Sequence, residues 1–403
     1  MERQPWKQAN KWWVSPYNFV DEVQALMPLP SRLLIHDCTL RDGEQAPGVV
    51  FTKKDKIDIA NALDEAGVHR IEAGMPVVSP DDREAIKEIA GSVSKAQVFA
   101  FGRARKSDVD LALQCNVKGI VIEISPLKTR LDVMKLTIDD AAKMVREAVS
   151  YAKAHGLIVA FFLVDATRTE LERNVKLGMA AKEAGADGIV VADTVGVASP
   201  YAMAYLVRKL RSTVGLPMEA HCHNHFGLAT ASSIFSVFAG AEVVHVAVNG
   251  LGEGAGNTPL EEVVASLSLL VGANLGITLE KIDQLSKLVE KCSLMKMSPN
   301  KPVVGSNQFT RESGIAVERY YKSPELALEL EHFNPALMGR TTEVVLGKKS
   351  GKYSILYKLR EMSLNANEEQ VSLMLEEVKN LATSKKSAVS NDEFRGIVKK
   401  IVG

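Results

Sequence analysis

The sequence predicts an α/β protein: a (β/α)8 barrel of the TIM type, followed by small helical C-terminal subdomains. Eight short β-branched runs alternate with longer amphipathic stretches between residues 33 and 272. That span of about 240 residues is what eight strand–helix units occupy. No G-x-G-x-x-G follows a predicted strand, so the main mark of an open doubly wound sheet is missing.

The predicted strands, in order, are Leu33–Asp37, Arg70–Ala73, Gln97–Phe101, Gly119–Ile124, Leu157–Leu163, Ile189–Ala192, Met218–His221 and Val243–Val248. Helical periodicity marks Lys54–Ala66, Ile138–Ala154, Glu170–Ala184 and Tyr201–Thr213, and Leu260–Leu270 closes the unit. Glycines announce several strands, as at Ala66-Gly67, Ala184-Gly185 and Ala239-Gly240. The domain expectation is an N-terminal extension over 1–32, a catalytic barrel over 33–272 and C-terminal helical subdomains over 273–403. The last region loses the βα period and carries Lys/Glu faces, with a terminal helical pair over 363–403. Its short apolar patterns, such as Ile277–Leu288, read as too small to form a core of their own.

Composition narrows the function. Of 403 residues, 46% are hydrophobic and 24% charged, with 49 basic against 49 acidic side chains. A zero net charge offers no global field for nucleic acid or anionic lipid, so neither is an expected partner. Four scattered cysteines without C-x-x-C exclude a disulfide scaffold and fit a reducing compartment. The N-terminus lacks the apolar stretch of a signal peptide, and no run approaches the ~18 apolar residues of a spanning helix. The expectation is a soluble cytoplasmic protein.

In such a barrel chemistry collects at the C-terminal ends of the strands. The first strand runs into His36-Asp37-Cys38-Thr39-Leu40-Arg41-Asp42-Gly43-Glu44-Gln45, dense in ionisable groups. The seventh ends in His221-Cys222-His223-Asn224-His225, where residues two apart share a face. The loop after the eighth strand carries Gly250-Leu251-Gly252-Glu253-Gly254-Ala255-Gly256-Asn257. Closure of the sheet makes the seventh, eighth and first strands neighbours, bringing Asp42 beside His221 and His223 with Asn257 between. Two imidazoles and a carboxylate suit Zn²⁺, Mn²⁺, Co²⁺ or Fe²⁺, and Mg²⁺ when water completes the shell. The plainer reading of His-x-His is a pair of hydrogen-bonded core histidines. His225 lies past the strand end and reads as a solvated loop residue.

Thr39–Gln45, His221–Asn224 and Gly252–Asn257, in that order, resemble the DRE-TIM metallolyases, and within them the 2-isopropylmalate, homocitrate and citramalate synthases. The resemblance runs through the barrel into Asn300–Gly314 and Val345–Gly351, which are similar to the two small subdomains of those synthases. It implies an acyltransferase that condenses an acyl-CoA such as acetyl-CoA with a 2-oxo acid in a Claisen-type step, then hydrolyses the thioester. A divalent metal (Zn, Mn, Mg or Co) held by Asp42, His221, His223 and Asn257 would act as Lewis acid. Arg41 would stabilise the developing alkoxide, and Glu72 would order Arg41. Gln45 would lie near the acyl group and Thr194 would bind the substrate carboxylate. Bland roles stand beside these: a structural ion pair for Arg41, a helix cap for Gln45, a turn or N-cap for Thr194. The resemblance also implies a homodimer with exchanged subdomains that cover the partner's active site. Leucine-regulated relatives carry a further βαβ domain, so the expectation is no regulatory domain and no end-product feedback.

The departures bear on the acyl-CoA half-reaction. The Glu-Asp that usually follows the fifth strand is Val164-Asp165, so a substrate-facing carboxylate is missing. The usual H-E-S-G-I-H reads Arg311-Glu312-Ser313-Gly314-Ile315-Ala316, and a later histidine is Lys349. Gly254 stands where arginine is common. With both histidines gone, Glu312 is the expected base; Tyr320, Tyr321 and His332 are the substitutes, and holding a loop is Glu312's structural alternative. Two other functions compete. A lyase of the hydroxymethylglutaryl-CoA type would carry a cysteine in the eighth loop, which is absent here. A non-catalytic metal-binding relative would have lost Arg41, Asp42 or His-x-His, and all are intact.

Overall fold

The computed structural model describes residues 5–323 and 331–403. Eight parallel strands close a barrel: β1 (Leu34–Asp37), β2 (Arg70–Glu72), β3 (Gln97–Arg103), β4 (Gly119–Ile124), β5 (Ile158–Leu163), β6 (Gly188–Asp193), β7 (Met218–Cys222) and β8 (Ala241–Val246). Closure is made by β8 on β1, with Val243 opposite Leu34 and Val246 opposite Asp37. The predicted strands are all present, with no end shifted by more than two residues.

The barrel helices are α1 (Lys53–Ala66), α2 (Pro80–Ser92), α3 (Lys106–Gln114), α4 (Ile138–Ala154), α5 (Leu171–Glu183), α6 (Pro200–Val214), α7 (Ala229–Phe238) and α8 (Leu260–Ser266). Local chemistry sets their starts. Thr52 and Asp55 form a reciprocal capping box at α1, Thr137 and Asp140 another at α4, and Ser79-Pro80 and Ser199-Pro200 open α2 and α6. α1 stops at Gly67, whose φ of 90° and close approach to the Gly276 carbonyl exclude a side chain. The eighth helix departs from the expected Leu260–Leu270: it is α-helical only to Ser266 and continues as a π turn over Leu267–Val271. Inside the barrel, alternate residues of β3–β6 build an apolar layer of Phe99, Phe101, Val121, Ala160, Phe162, Val164, Val190 and Ala192.

The chain forms two compact units, one over 17–297 and one joining the N-terminal segment to 298–403. This differs from the expected divisions at 32 and 272. Residues 273–297 stay with the barrel because α9 (Ile282–Ser293) buries Ile282, Leu285 and Val289 and packs on α1. Asn249, just past β8, bonds the Ser286 hydroxyl at 2.6 Å and the Ser286 carbonyl at 2.9 Å. The N-terminal extension is divided too: the Asn334 amide donates to the Lys11 carbonyl at 2.7 Å, and Trp12 bridges Phe333.

The second unit carries α10 (Gly314–Lys322), α11 (Lys352–Glu361), α12 (Glu368–Lys385) and α13 (Asn391–Val402), the last two being the predicted terminal pair. The expectation that this region cannot build its own core is corrected. Leu346, Ile355, Leu359, Met374, Val378 and Phe394 are among eleven buried residues of one cluster within it. The α12 and α13 faces meet across the loop between them, which short-range periodicity does not reveal. Phe394→Ala is expected to destabilise this unit by about 3–5 kcal/mol, read as a fall in its denaturant midpoint. Among the described residues, no helix is long and apolar enough to cross a membrane.

Candidate metal centre and active site

The turn after β1 creates the site. The Cys38 carbonyl accepts the backbone N–H groups of Arg41, Asp42 and Gly43 at 2.9–3.1 Å, wrapping the chain so that Arg41 and Asp42 are both buried at the barrel mouth. His221 comes from β7. His223 lies just past that strand, its amide held by the Asp193 carbonyl at 3.2 Å. The ligand atoms of Asp42, His221 and His223 all lie within 4.8 Å of one another.

The spacing within this group distinguishes a metal site from a hydrogen-bonded one. His221 Nε2 and His223 Nε2 lie 3.5 and 3.6 Å from Asp42 Oδ2, too far for good hydrogen bonds. They match the ligand–ligand edge expected when each bond to a shared ion is about 2.1 Å. Among the described residues, the Nδ1 atoms of both histidines are buried without partners, as is Asn257 Oδ1. Asn257 Nδ2 donates to Asp42 Oδ1 and to the Leu251 carbonyl, both at 3.0 Å, which leaves that oxygen as an unused acceptor beside Asp42. The loop achieves this only with glycine: a Cβ on Gly252 would collide with the Asn257 amide. Protonation fits the same chemistry. Burial drives the His221 imidazolium down to about 4, leaving a neutral donor. Burial alone would raise Asp42, but Arg41, His221 and His223 outweigh it and hold the carboxyl well below its ordinary range. The residues present therefore fit a divalent cation. His225 is exposed, as expected.

Arg41 is fixed from three sides. Its Nη1 donates to Asp42 Oδ2 at 2.7 Å, its Nε to Glu72 Oε1, and its guanidinium lies 4.0 Å over the Phe101 ring. Burial favours protonation of Glu72, yet Arg41 and His36 hold it at about 2, so it stays ionised. Arg41 and Gln45 both line a cavity of about 760 Å³ between the β1 and β2 loops. Gln45 is exposed there. Thr194, just after β6, accepts the Asp165 amide at 2.8 Å through Oγ1, so it already holds the neighbouring loop.

Glu312 belongs to the second compact unit, and its Oε1 accepts the Lys349 amide at 3.0 Å, the bond expected of a residue that shapes the Gly347–Ser350 loop. Tyr320 and Arg311 both donate to Glu331, and His332 bonds Gln308 at 2.6 Å.

Three features escaped sequence reasoning. One is a polar layer below the metal site. His36 Nε2 bonds Glu72 Oε2 at 3.1 Å, His36 stacks on His245 at 4.1 Å, His245 Nε2 bonds Glu219 Oε2 at 2.9 Å, and Arg70 donates to Glu219 Oε1 at 2.8 Å. His36, Glu72 and His245 are close enough to hold an ion. Glu72, the one carboxylate among them, is already neutralised by Arg41, so an added cation would be uncompensated. Another is Asp165, fully buried in a left-handed backbone (φ 62°) and paired with Arg130 and Arg168. The third is Glu123, whose inward phase on β4 was available from strand alternation.

The family described as HMGL-like matches residues 32–289, nearly two thirds of the chain. The chain belongs to that family. A second family, homocitrate synthase post-HMGL domain-like, matches residues 303–386, within the second compact unit. The homocitrate synthase AksA of Methanothermobacter thermautotrophicus is 40% identical over 98% of this chain and 99% of its own length. The 2-isopropylmalate synthase of Methanocaldococcus jannaschii is 41% identical over 93% of this chain and 73% of its own length; the (R)-citramalate synthase CimA of that organism is 41% identical over 92% and 74%. Among solved structures, the hydroxymethylglutaryl-CoA lyase of Pseudomonas aeruginosa superposes with a TM-score of 0.60 at 20% identity, covering 68% of this chain and 96% of its own. That likeness bears on the barrel fold alone.

Proposed function

We propose that this HMGL-like protein condenses an acyl-CoA, acetyl-CoA foremost, with a 2-oxo acid and releases free CoA by thioester hydrolysis. The carrying observation is the buried Asp42–His221–His223 group with Arg41 locked beside it. Relatives similar over nearly the whole chain are named as synthases of homocitrate, citramalate and isopropylmalate.

Asp42, His221 and His223 hold the divalent ion, with Asn257 Oδ1 in or next to its shell. When bound, the ion supplies Lewis acidity to the carboxylate and ketone of the oxo acid. Arg41 directs its remaining guanidinium N–H toward charge that builds on the ketone oxygen; Nη2 is its buried donor without a partner among the described residues. Glu72 keeps Arg41 in place through Nε, and His36 braces Glu72. Thr194 donates its hydroxyl hydrogen to the substrate carboxylate while its oxygen holds the Asp165 amide. Gln45 borders the cavity offered to the acyl arm. Glu312, the base expected from the sequence, is committed to the Lys349 amide, which favours its loop-holding role.

The test is thiol release from acetyl-CoA with a panel of 2-oxo acids, with and without Zn²⁺, Mn²⁺, Mg²⁺ or Co²⁺. Metal-dependent release is expected, abolished by a chelator. Cleavage of hydroxymethylglutaryl-CoA without any condensation would favour the lyase reading instead. The cellular setting proposed is the cytoplasm, and the assembly a homodimer with exchanged C-terminal segments. Light scattering at micromolar concentration is expected to give twice the 43.8 kDa chain mass; a monomer contradicts it.

A further inference from the structure

The C–C bond formed in this reaction needs a base for the acyl α-carbon, and the chain has neither the usual subdomain histidines nor the usual glutamate after β5, where Val164 stands. The inner surface of the barrel supplies another. Along β4 the residues facing the interior are Val121 and then Glu123, one step nearer the mouth. In register, Glu123 lies opposite Arg103 on β3 and Phe162 on β5. Phe162 and Phe101 are the two rings over which the Arg41 guanidinium sits, at 6.0 and 4.0 Å. Glu123 thus shares the Phe162 wall with the arginine that faces the oxo acid.

Glu123 and Val164 line the same cavity, about 460 Å³ at the C-terminal ends of β3, β4 and β5, with Ser125, Arg103 and Arg130. A glutamate reaching in from β4 offers a carboxylate where β5 presents only valine. The neighbouring charges are otherwise engaged. Arg103 forms a two-pronged pair with Asp108 at 2.8 and 2.9 Å, and Arg130 bonds Asp165 at 2.9 Å. Among the described residues the Glu123 carboxylate accepts no hydrogen bond, and the half-buried side chain opens on a substrate-sized cavity.

We propose that Glu123 is the proton acceptor of this site. Resting on the condensation reading, the step removes a hydrogen from the acyl-CoA α-carbon. The C–H bond breaks, its proton passes to a Glu123 oxygen, and the electron pair remains as the thioester enolate. That carbon then bonds to the ketone carbon of the oxo acid, whose π pair moves to oxygen and takes a proton. Glu123 returns its proton to solvent, and water cleaves the thioester to release CoA. The environment suits a base. Burial raises the Glu123 carboxyl above its ordinary value, with Asp108 adding to the rise, while Arg41, Arg130 and Arg103 pull it down.

The test is deuterium uptake at the acetyl-CoA α-carbon in deuterated buffer, together with thiol release, for the metal-loaded wild type, Glu123→Gln, Glu123→Asp and Glu312→Gln. Expected is a loss of both signals by at least about 100-fold in Glu123→Gln, partial recovery in Glu123→Asp, and near wild-type exchange in Glu312→Gln. Metal content and oxo-acid KM should be unchanged in the Glu123 variants. If Glu123→Gln fails to fold, Glu123→Asp alone decides, by slowed exchange at full metal content. Wild-type turnover with exchange surviving in Glu123→Gln, or lost only in Glu312→Gln, overturns the assignment and leaves the condensation reading standing. A wild type that neither exchanges nor releases thiol overturns both.

Discussion

His221→Ala and His223→Ala are each expected to leave the protein with far less than one bound divalent ion and with turnover reduced by more than about 100-fold. Losing an outer partner of a metal ligand already costs about 10–100-fold in affinity or activity, and removing a ligand itself exceeds that. His225→Ala is the matched control. It deletes an exposed imidazole two residues further along and should retain both metal and turnover. Metal content by elemental analysis after dialysis checks the series, and unchanged stoichiometry in both ligand variants would remove the site.

Glu219→Ala is expected to destabilise the barrel by about 3–5 kcal/mol, because it strands a buried partner charge. Arg70 would lose its acceptor at 2.8 Å and His245 its partner at 2.9 Å, both well inside the barrel. The same network sets the acid limit of stability. Burial holds His245 at about 4, so the unfolded chain takes up a proton below 6.5 that the folded chain refuses. That contribution is complete above 6.5 and fades as pH falls through 4. Glu219 is pushed up by burial and pulled down further by Arg70 and His245, to about 2. Its contribution is present above 4.5 and lost as pH falls toward 2. Denaturant midpoints between pH 7 and 3 should therefore decline in the wild type. In Glu219→Gln the decline below 4.5 should be shallower from a lower starting point, and a wild-type profile in that variant would show the pair to be immaterial.

The positions of the candidate metal ligands were legible because they lie in dense local motifs. Asp42 follows a strand in a run of ionisable residues, and His221 and His223 share a strand face by a period of two. Asn257 sits in a glycine-rich loop whose conformation only glycine allows. The barrel was legible for a related reason: eight repeats of one strand–helix unit leave a periodic trace, and Thr52, Thr137, Ser79 and Ser199 punctuate it with caps.

Glu123 and the His36–His245 stack were not recovered in the same way. Each is a polar residue inside a β-branched run, and its meaning depends on which partners the closed sheet sets beside it. Gln45, Thr194 and Glu312 show the reverse. Their motif positions suggested chemistry, while hydrogen bonds to the Asp165 and Lys349 amides give Thr194 and Glu312 structural work that no motif records.

By itself, then, the sequence determined the barrel, its order of strands and the candidate metal ligands, since period, capping and strand-end motifs are short-range properties written in neighbouring residues. Tertiary structure alone decided that residues 5–16 join the C-terminal unit, that α11, α12 and α13 enclose a core, and that Arg70, Glu219, His245, His36, Glu72 and Arg41 form one connected polar layer. Those pairings join residues far apart in the chain: 149 positions for Arg70 and Glu219, and 324 for the Asn334 side-chain amide and the Asn10 carbonyl. Burial makes each polar partner obligatory, and only closure of the sheet says which partner is within reach.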